Sequence, residues 1–262
     1  MDGDGKTIYV KKQRAAELAS GYSAEKRNME IGSLVAFGIS FSWCIYRGMA
    51  AMTIATVPVV LLAVPVGMLF ADFFSGLVHW GCDTWGTVKT PIFSAFIRSF
   101  REHHVDPMAI TRHDLVEANG DNCLVCVPAL LLLAFIRVDL SSTSELFIFV
   151  SLLSTALFVS ITNQIHKWSH TLRPPSYVRV LQDTNVILSR KVHNIHHQNP
   201  YDRYYCITTG WLNPVLGAIN FWGVMEAAIE ALGSYKPRED DQYWTSLQKK
   251  DSNTPVPPQH AE

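Results

Sequence analysis

The chain has 262 residues, enough for one large domain or two small ones. Hydrophobic residues make up 48% and charged residues only 17%, a smaller charged share than soluble domains carry. A formal net charge of -1 gives no basic surplus to recommend a nucleic-acid partner, and the five cysteines suggest no disulfide framework.

In chain order, residues 1–30 are polar and carry Lys6, Lys11, Lys12, Arg14, Lys26 and Arg27, which reads as a cytoplasmic tail and not a signal peptide. Sixteen uncharged residues then separate Glu30 from Arg47, 24 separate Arg47 from Asp72, and 21 separate Glu145 from Lys167. A helix needs about 20 apolar residues to cross the hydrocarbon core. Transmembrane helices are therefore predicted at about 31–47, 54–78 and 146–166. A shorter candidate, "CLVCVPALLLLAFIRV" at 123–138, has 14 uncharged residues before Arg137, whose side chain can snorkel to the interface. Its Cys123 and Cys126 read as small buried core residues, since a zinc site wants a second pair. With four crossings, the far-side loops hold only Arg47 and Arg137 and the other 20 of 22 basic residues are cytoplasmic, as the positive-inside rule requires. Residues 211–232, "WLNPVLGAINFWGVMEAAIEAL", are apolar, but Pro214, Glu226 and Glu230 argue for a helix lying in the interface. The segment 233–262 reads as a cytoplasmic tail, its end "DSNTPVPPQHAE" as disordered. The expected fold is an all-α membrane protein: four transmembrane helices, spanning 31–232 with a cytoplasmic helical cap.

Nine of the ten histidines lie between His79 and His197, and eight of them form four tight groups. His79 closes the second apolar segment, with Asp83 one helical turn later; His103 and His104 sit in "FREHHVDP"; His166 and His170 close the last strong apolar segment; His193, His196 and His197 fill "KVHNIHHQNP". Spacings of three and four place side chains on one helix face. If the second and fourth crossings run in the same direction, His79 and His166 emerge on the same side. Eight histidines and an aspartate exceed the four ligands of a structural zinc. Imidazole with carboxylate suits iron, and this excess suits two iron ions that activate O2.

The set HxxxD, HH, HxxxH and HxxHH is similar to the histidine boxes of membrane di-iron desaturases and hydroxylases. More specifically, "ADFFSGLVHWGCDTWG", "FREHHVDPMAITRHD", "NGDNCL", "TNQIHKWSH" and "ITTGWLNP", from about Ala71 to Trp222, resemble the Kua family of lipid desaturases, whose animal members act on plasmanylethanolamine. The resemblance implies metal ligation by His79, His103, His104, His166, His170, His193, His196 and His197, with Asp83 where other desaturases carry a histidine. Asp83 is equally placed to ligate iron or to orient a ligating histidine. Phe100 stands where an HxxHH box would start, so the second group offers two ligands. The resemblance further implies O2-dependent formation of the vinyl-ether double bond of a plasmalogen from 1-O-alkyl-2-acyl-glycerophosphoethanolamine, at the endoplasmic reticulum, with electrons from a cytochrome b5-type donor.

Outside the boxes, Arg112 and His113 are candidates for contact with a lipid head group, and Asn163, three residues before His166, is a candidate outer partner of that histidine. The rival readings are a di-iron hydroxylase, a metal transporter and a haem electron carrier. A transporter wants ligands at mid-membrane, whereas both strong spans here are free of histidine until their ends.

Overall fold

The computed structural model describes residue 16, residues 20–85, residue 90, residues 94–198 and residues 201–233. The terminal tails expected at 1–30 and 233–262 lie largely outside the described residues. Among the described residues there is no strand, and four helices are long and apolar enough to cross a membrane. They are α1 (Ala24–Ala51), α2 (Val57–Thr84), α4 (Leu115–Phe135) and α5 (Thr143–Ser160). The chain is a membrane protein whose bundle is turned outward: Ile39, Leu61, Leu132 and Phe135 are all exposed.

Each predicted crossing has a helix, with shifted ends. The first begins at Ala24 because the Ser23 hydroxyl caps the Lys26 N–H and because Lys26 and Glu30 find partners. The third starts at Leu115, eight residues before its apolar run. Asp114 caps it by accepting from the N–H groups of Val116 and Glu117, and the polar first turns are satisfied across the bundle: Asp121 by Lys26, and Asn122, which donates to the Val159 carbonyl. The fourth breaks at Ile161, and α6 (Thr162–His170) continues past the bundle.

The helices pack as a row, α1 on α4, α4 on α5, α5 on α2. The α2–α5 seam is closed by small residues. A Cβ built at Gly67 would lie 2.4 Å from the Ser151 carbonyl oxygen and 2.5 Å from Ser154 Cβ. The Ser154 hydroxyl donates to Val64 O at 2.9 Å, and Thr155 donates to Gly67 O at 3.2 Å. Small residues with interhelical hydroxyl bonds are how helices associate where no water drives them together. The α1–α4 seam repeats the device at Gly120, whose Cβ would meet Glu30 Cβ at 2.4 Å. Cys126 packs with Cys44, Leu130, Leu146 and Phe149 between α1, α4 and α5. At the opposite end from the cap, Arg47 closes α4 by donating to the carbonyls of Leu133, Ala134 and Ile136 at 2.6, 2.9 and 3.1 Å.

Short helices form the cap: α3 (Ser94–Val105), α7 (Ser176–Asp183), α8 (Arg190–His196) and α9 (Asn213–Ala218), followed by α10 (Phe221–Gly233). Residues 211–232, expected as one interfacial helix, are two. Pro214 sits in the first turn of α9, and the chain turns at Asn220, whose φ is 48°.

Candidate metal centre

The cap gathers the histidines at the end of α2 and α5. The last turns of α2 carry His79 and Asp83, the end of α3 carries His103 and His104, α6 carries His166 and His170, and α8 carries His193 and His196 with His197 at its C-cap. Local sequence sets these placements: Ser189 caps α8, and the four-residue spacings put His79 over Asp83 and His166 over His170.

These nine residues assemble into two groups. His103, His166, His170, His193 and His197 form one; His79, Asp83, His104 and His196 form the other; in each, the candidate ligand atoms lie within 4.8 Å of one another. The groups interlock, because adjacent residues go to different groups: His103 to the first and His104 to the second, His197 to the first and His196 to the second. Successive helical residues point about 100° apart, so each paired-histidine motif can serve two centres.

In the five-histidine group, His166 Nε2 lies 3.0 Å from His103 Nε2 and 2.8 Å from His193 Nε2, and His197 Nε2 lies 2.9 and 3.0 Å from the same two atoms. In the second group, Asp83 Oδ2 is the hub, at 3.1 Å from His79 Nε2, 3.3 Å from His104 Nε2 and 3.4 Å from His196 Nε2. Asp83 is 1% exposed and neither oxygen has a hydrogen bond. A buried carboxylate in that state is costly unless a cation neutralises it. Converging imidazole nitrogens around such a carboxylate, with no thiolate among them, fit a borderline divalent metal such as iron, zinc or manganese.

Electrostatics keep the imidazoles ready to ligate. Burial, reinforced by the neighbouring imidazoles, pushes His103, His166 and His193 well below the usual histidine range. Burial also lowers His170 to about 3, His196 to about 4, and His197 further still. Neutral imidazole is the form that binds metal.

A backbone segment orients the second group. His79 Nδ1 donates to Tyr205 O at 3.0 Å, and His196 Nδ1 donates to Arg203 O at 2.9 Å. A carbonyl only accepts, so these contacts place the proton on Nδ1 and present the Nε2 lone pair. Tyr201 stacks on His104 with ring centroids 4.9 Å apart. Apart from the motif "ITTGWLNP", residues 201–213 carry no sequence signal of this role, because a carbonyl that orients a ligand has no side-chain signature.

The remaining candidates lie beside the groups. His113 and Asn163 line a polar cavity of about 50 Å3, together with Glu30, Glu102 and the five-group members His103 and His166. That is room for a water molecule or two. His113 is lowered to about 4 by burial and pairs with Glu117 at 3.5 Å, and its carbonyl accepts from Lys167 at 2.6 Å. Arg112 is exposed and paired with Asp106 at 2.6 Å.

Comparison with known proteins follows the same lines. The lipid desaturase domain matches residues 68–240. Plasmanylethanolamine desaturase 1 of Mus musculus is 50% identical over 242 residues, covering 88% of this chain and 87% of its own. Plasmanylethanolamine desaturase of Myxococcus xanthus is 44% identical over 235 residues, with 88% and 82% covered. The chloroplastic fatty acid desaturase 4 of Arabidopsis thaliana is 30% identical over 180 residues, with 68% and 54% covered. No solved structure matches.

Proposed function

The chain belongs to the lipid desaturase domain family, and from that premise we propose that it desaturates an ether phospholipid, converting 1-O-alkyl-2-acyl-glycerophosphoethanolamine to its vinyl ether, a plasmalogen. The observation that carries this reading is the pair of interlocked donor groups at the cap end of four membrane-length helices. His103, His166, His170, His193 and His197 would hold one iron ion, and His79, Asp83, His104 and His196 the second. Iron bound there supplies the activation of O2 that an unactivated C–H bond demands. The protein's part is to present neutral imidazoles, to balance positive charge with Asp83, and to keep the centre buried against the cap.

The overall reaction takes two hydrogens from C1 and C2 of the alkyl chain. With two electrons and two protons from outside, O2 leaves as two waters. The sequence holds no flavin or nicotinamide fingerprint, so a cytochrome b5-type carrier is the proposed donor. The proposed setting is the endoplasmic reticulum membrane with both termini cytoplasmic. Arg112 and His113 are proposed to meet the head group, and Asn163 to support His166 from the polar cavity.

Lipid mass spectrometry of a plasmalogen-deficient cell expressing the chain tests the proposal. Desaturation lowers substrate mass by about 2 units and hydroxylation raises it by about 16. Restored plasmalogen is expected. A hydroxylated ether lipid, or unchanged lipids at normal expression, would refute it.

A further inference from the structure

Asp72 is fully buried on α2, within the apolar run of a membrane-length helix and touching neither donor group. An ionisable residue at such a place is expensive unless it is fully satisfied. It is satisfied by backbone alone. Oδ1 accepts from the N–H groups of Thr209 at 2.7 Å and Gly210 at 2.8 Å, and Oδ2 accepts from Leu212 at 3.1 Å. Gly210 has φ +76°, and a side chain there would meet Leu188 at 2.9 Å, so glycine lets the loop fold onto the carboxylate.

The neighbouring links run the same way. The Ser75 hydroxyl donates to Asp72 O and accepts from the Ile207 N–H at 3.0 Å. Asn213 brackets Cys206, accepting from its N–H at 2.9 Å and donating to its carbonyl at 2.8 Å. Thr208 meets the Thr162 hydroxyl at 2.7 Å. Residues 206–212 are thus a non-helical strap tied to α2 and α6 and continued by Asn213 at the start of α9. The residues just before it supply the two carbonyls that orient the second donor group, from Arg203 and Tyr205. Tyr204 between them sits at φ 63°, a left-handed conformation that a non-glycine residue keeps only where its surroundings enforce it. The five-histidine group has no such support: Nδ1 of His103, His193 and His197 has no hydrogen-bond partner.

We propose that Asp72 is a positioning residue for the second donor group: by anchoring the strap it fixes the tautomer and ring orientation of His79 and His196, so the group His79, Asp83, His104 and His196 depends on a carboxylate it never touches. The inference rests on the metal-centre reading above. It separates Asp72 from a general stability element, which would serve both groups alike.

The test is Co2+ titration of the purified full-length chain in detergent, with ions counted per chain and folding checked by near-ultraviolet circular dichroism. Wild-type protein is expected to bind two ions. Asp72→Asn keeps the volume but sets an amide donor against one of the three N–H groups. It is expected to keep one ion at wild-type affinity and bind the other about 10- to 100-fold more weakly, the usual cost of losing outer support of a metal ligand. Combining it with His193→Ala, which removes a ligand of the five-histidine group, is expected to leave no tightly bound ion. Two ions at wild-type affinity in folded Asp72→Asn, equal weakening of both, or a tight ion surviving in the double variant would each overturn the proposal. Should Asp72→Asn not fold, Ser75→Ala decides by the same criterion: a smaller loss confined to one ion supports the proposal, and a loss of neither or of both overturns it. Wild-type protein that takes up no Co2+ would overturn the metal reading itself, and this one with it.

Discussion

Gly67→Ala puts a methyl group where the α2–α5 seam has no room. Its Cβ would stand 2.4 Å from the Ser151 carbonyl oxygen, and that atom is backbone, which cannot swing aside. Relief to an ordinary carbon–oxygen contact of about 3.4 Å requires the helices to part by about 1 Å. Overpacking of this kind costs about 1–3 kcal/mol. The parting also stretches the Ser154–Val64 and Thr155–Gly67 hydrogen bonds, at about 0.6 kcal/mol each for interhelical bonds in a membrane. A total near 3 kcal/mol corresponds to a melting temperature lower by about 5–10 °C for a chain of this size. Because α2 ends in His79 and Asp83 and α5 leads into His166, metal content is expected to fall with it. The matched control is Gly32→Ala, where a Cβ meets nothing within 4 Å and the change is expected to be neutral or stabilising by up to about 1 kcal/mol. Melting of the solubilised protein followed by intrinsic fluorescence distinguishes the two. Equal melting temperatures for the two variants would refute the close-packed seam.

His196→Ala removes a ligand from the Asp83-centred group and should abolish plasmalogen formation while the protein stays in the membrane; full activity would sink the metal reading. Metal-free protein should be acid-labile. His196 and His170 have folded values near 4 and 3, below the unfolded value of about 6.5, so the unfolded chain binds more protons in that window. Stability is therefore fully present above about pH 6.5 and is lost as pH falls toward 4. Unchanged melting between pH 7.5 and pH 5 would contradict this. Arg47→Ala frees three carbonyls at the end of α4 and should lower stability by about 2 kcal/mol with metal stoichiometry intact, whereas loss of metal in that variant would mean that the far end of the bundle reaches the site.

Much of this was legible in the sequence, for identifiable reasons. A membrane helix announces itself by length and apolarity, and a box of histidines by residue type, so four crossings and nine candidate ligands could be named before any coordinates. The division of those nine could not. His193, His196 and His197 share a helix face by spacing, yet His196 joins Asp83 while the other two join His166. Fixing that choice takes the crossing angles of four helices from distant parts of the chain. The start of α4 is hidden in the sequence because Glu117, Asp121 and Asn122 precede the apolar run, and only the fold brings Lys26 and the Val159 carbonyl against the latter two. Asp72 read only as the charge that ends an apolar run, because its partners are N–H groups 137 to 140 residues away.

The seam at Gly67 also bears on how a lipid could travel. A contact that excludes a methyl group excludes an acyl chain, so no hydrocarbon tail can pass between α2 and α5 at that depth. The four helices stand in a row, and α1 and α2, at its two ends, scarcely touch. A tail that reaches the histidines from the bilayer would have to pass beside the α2–α5 seam and not through it at the depth of Gly67. The α2–α5 seam is a wall to hydrocarbon, not a gate.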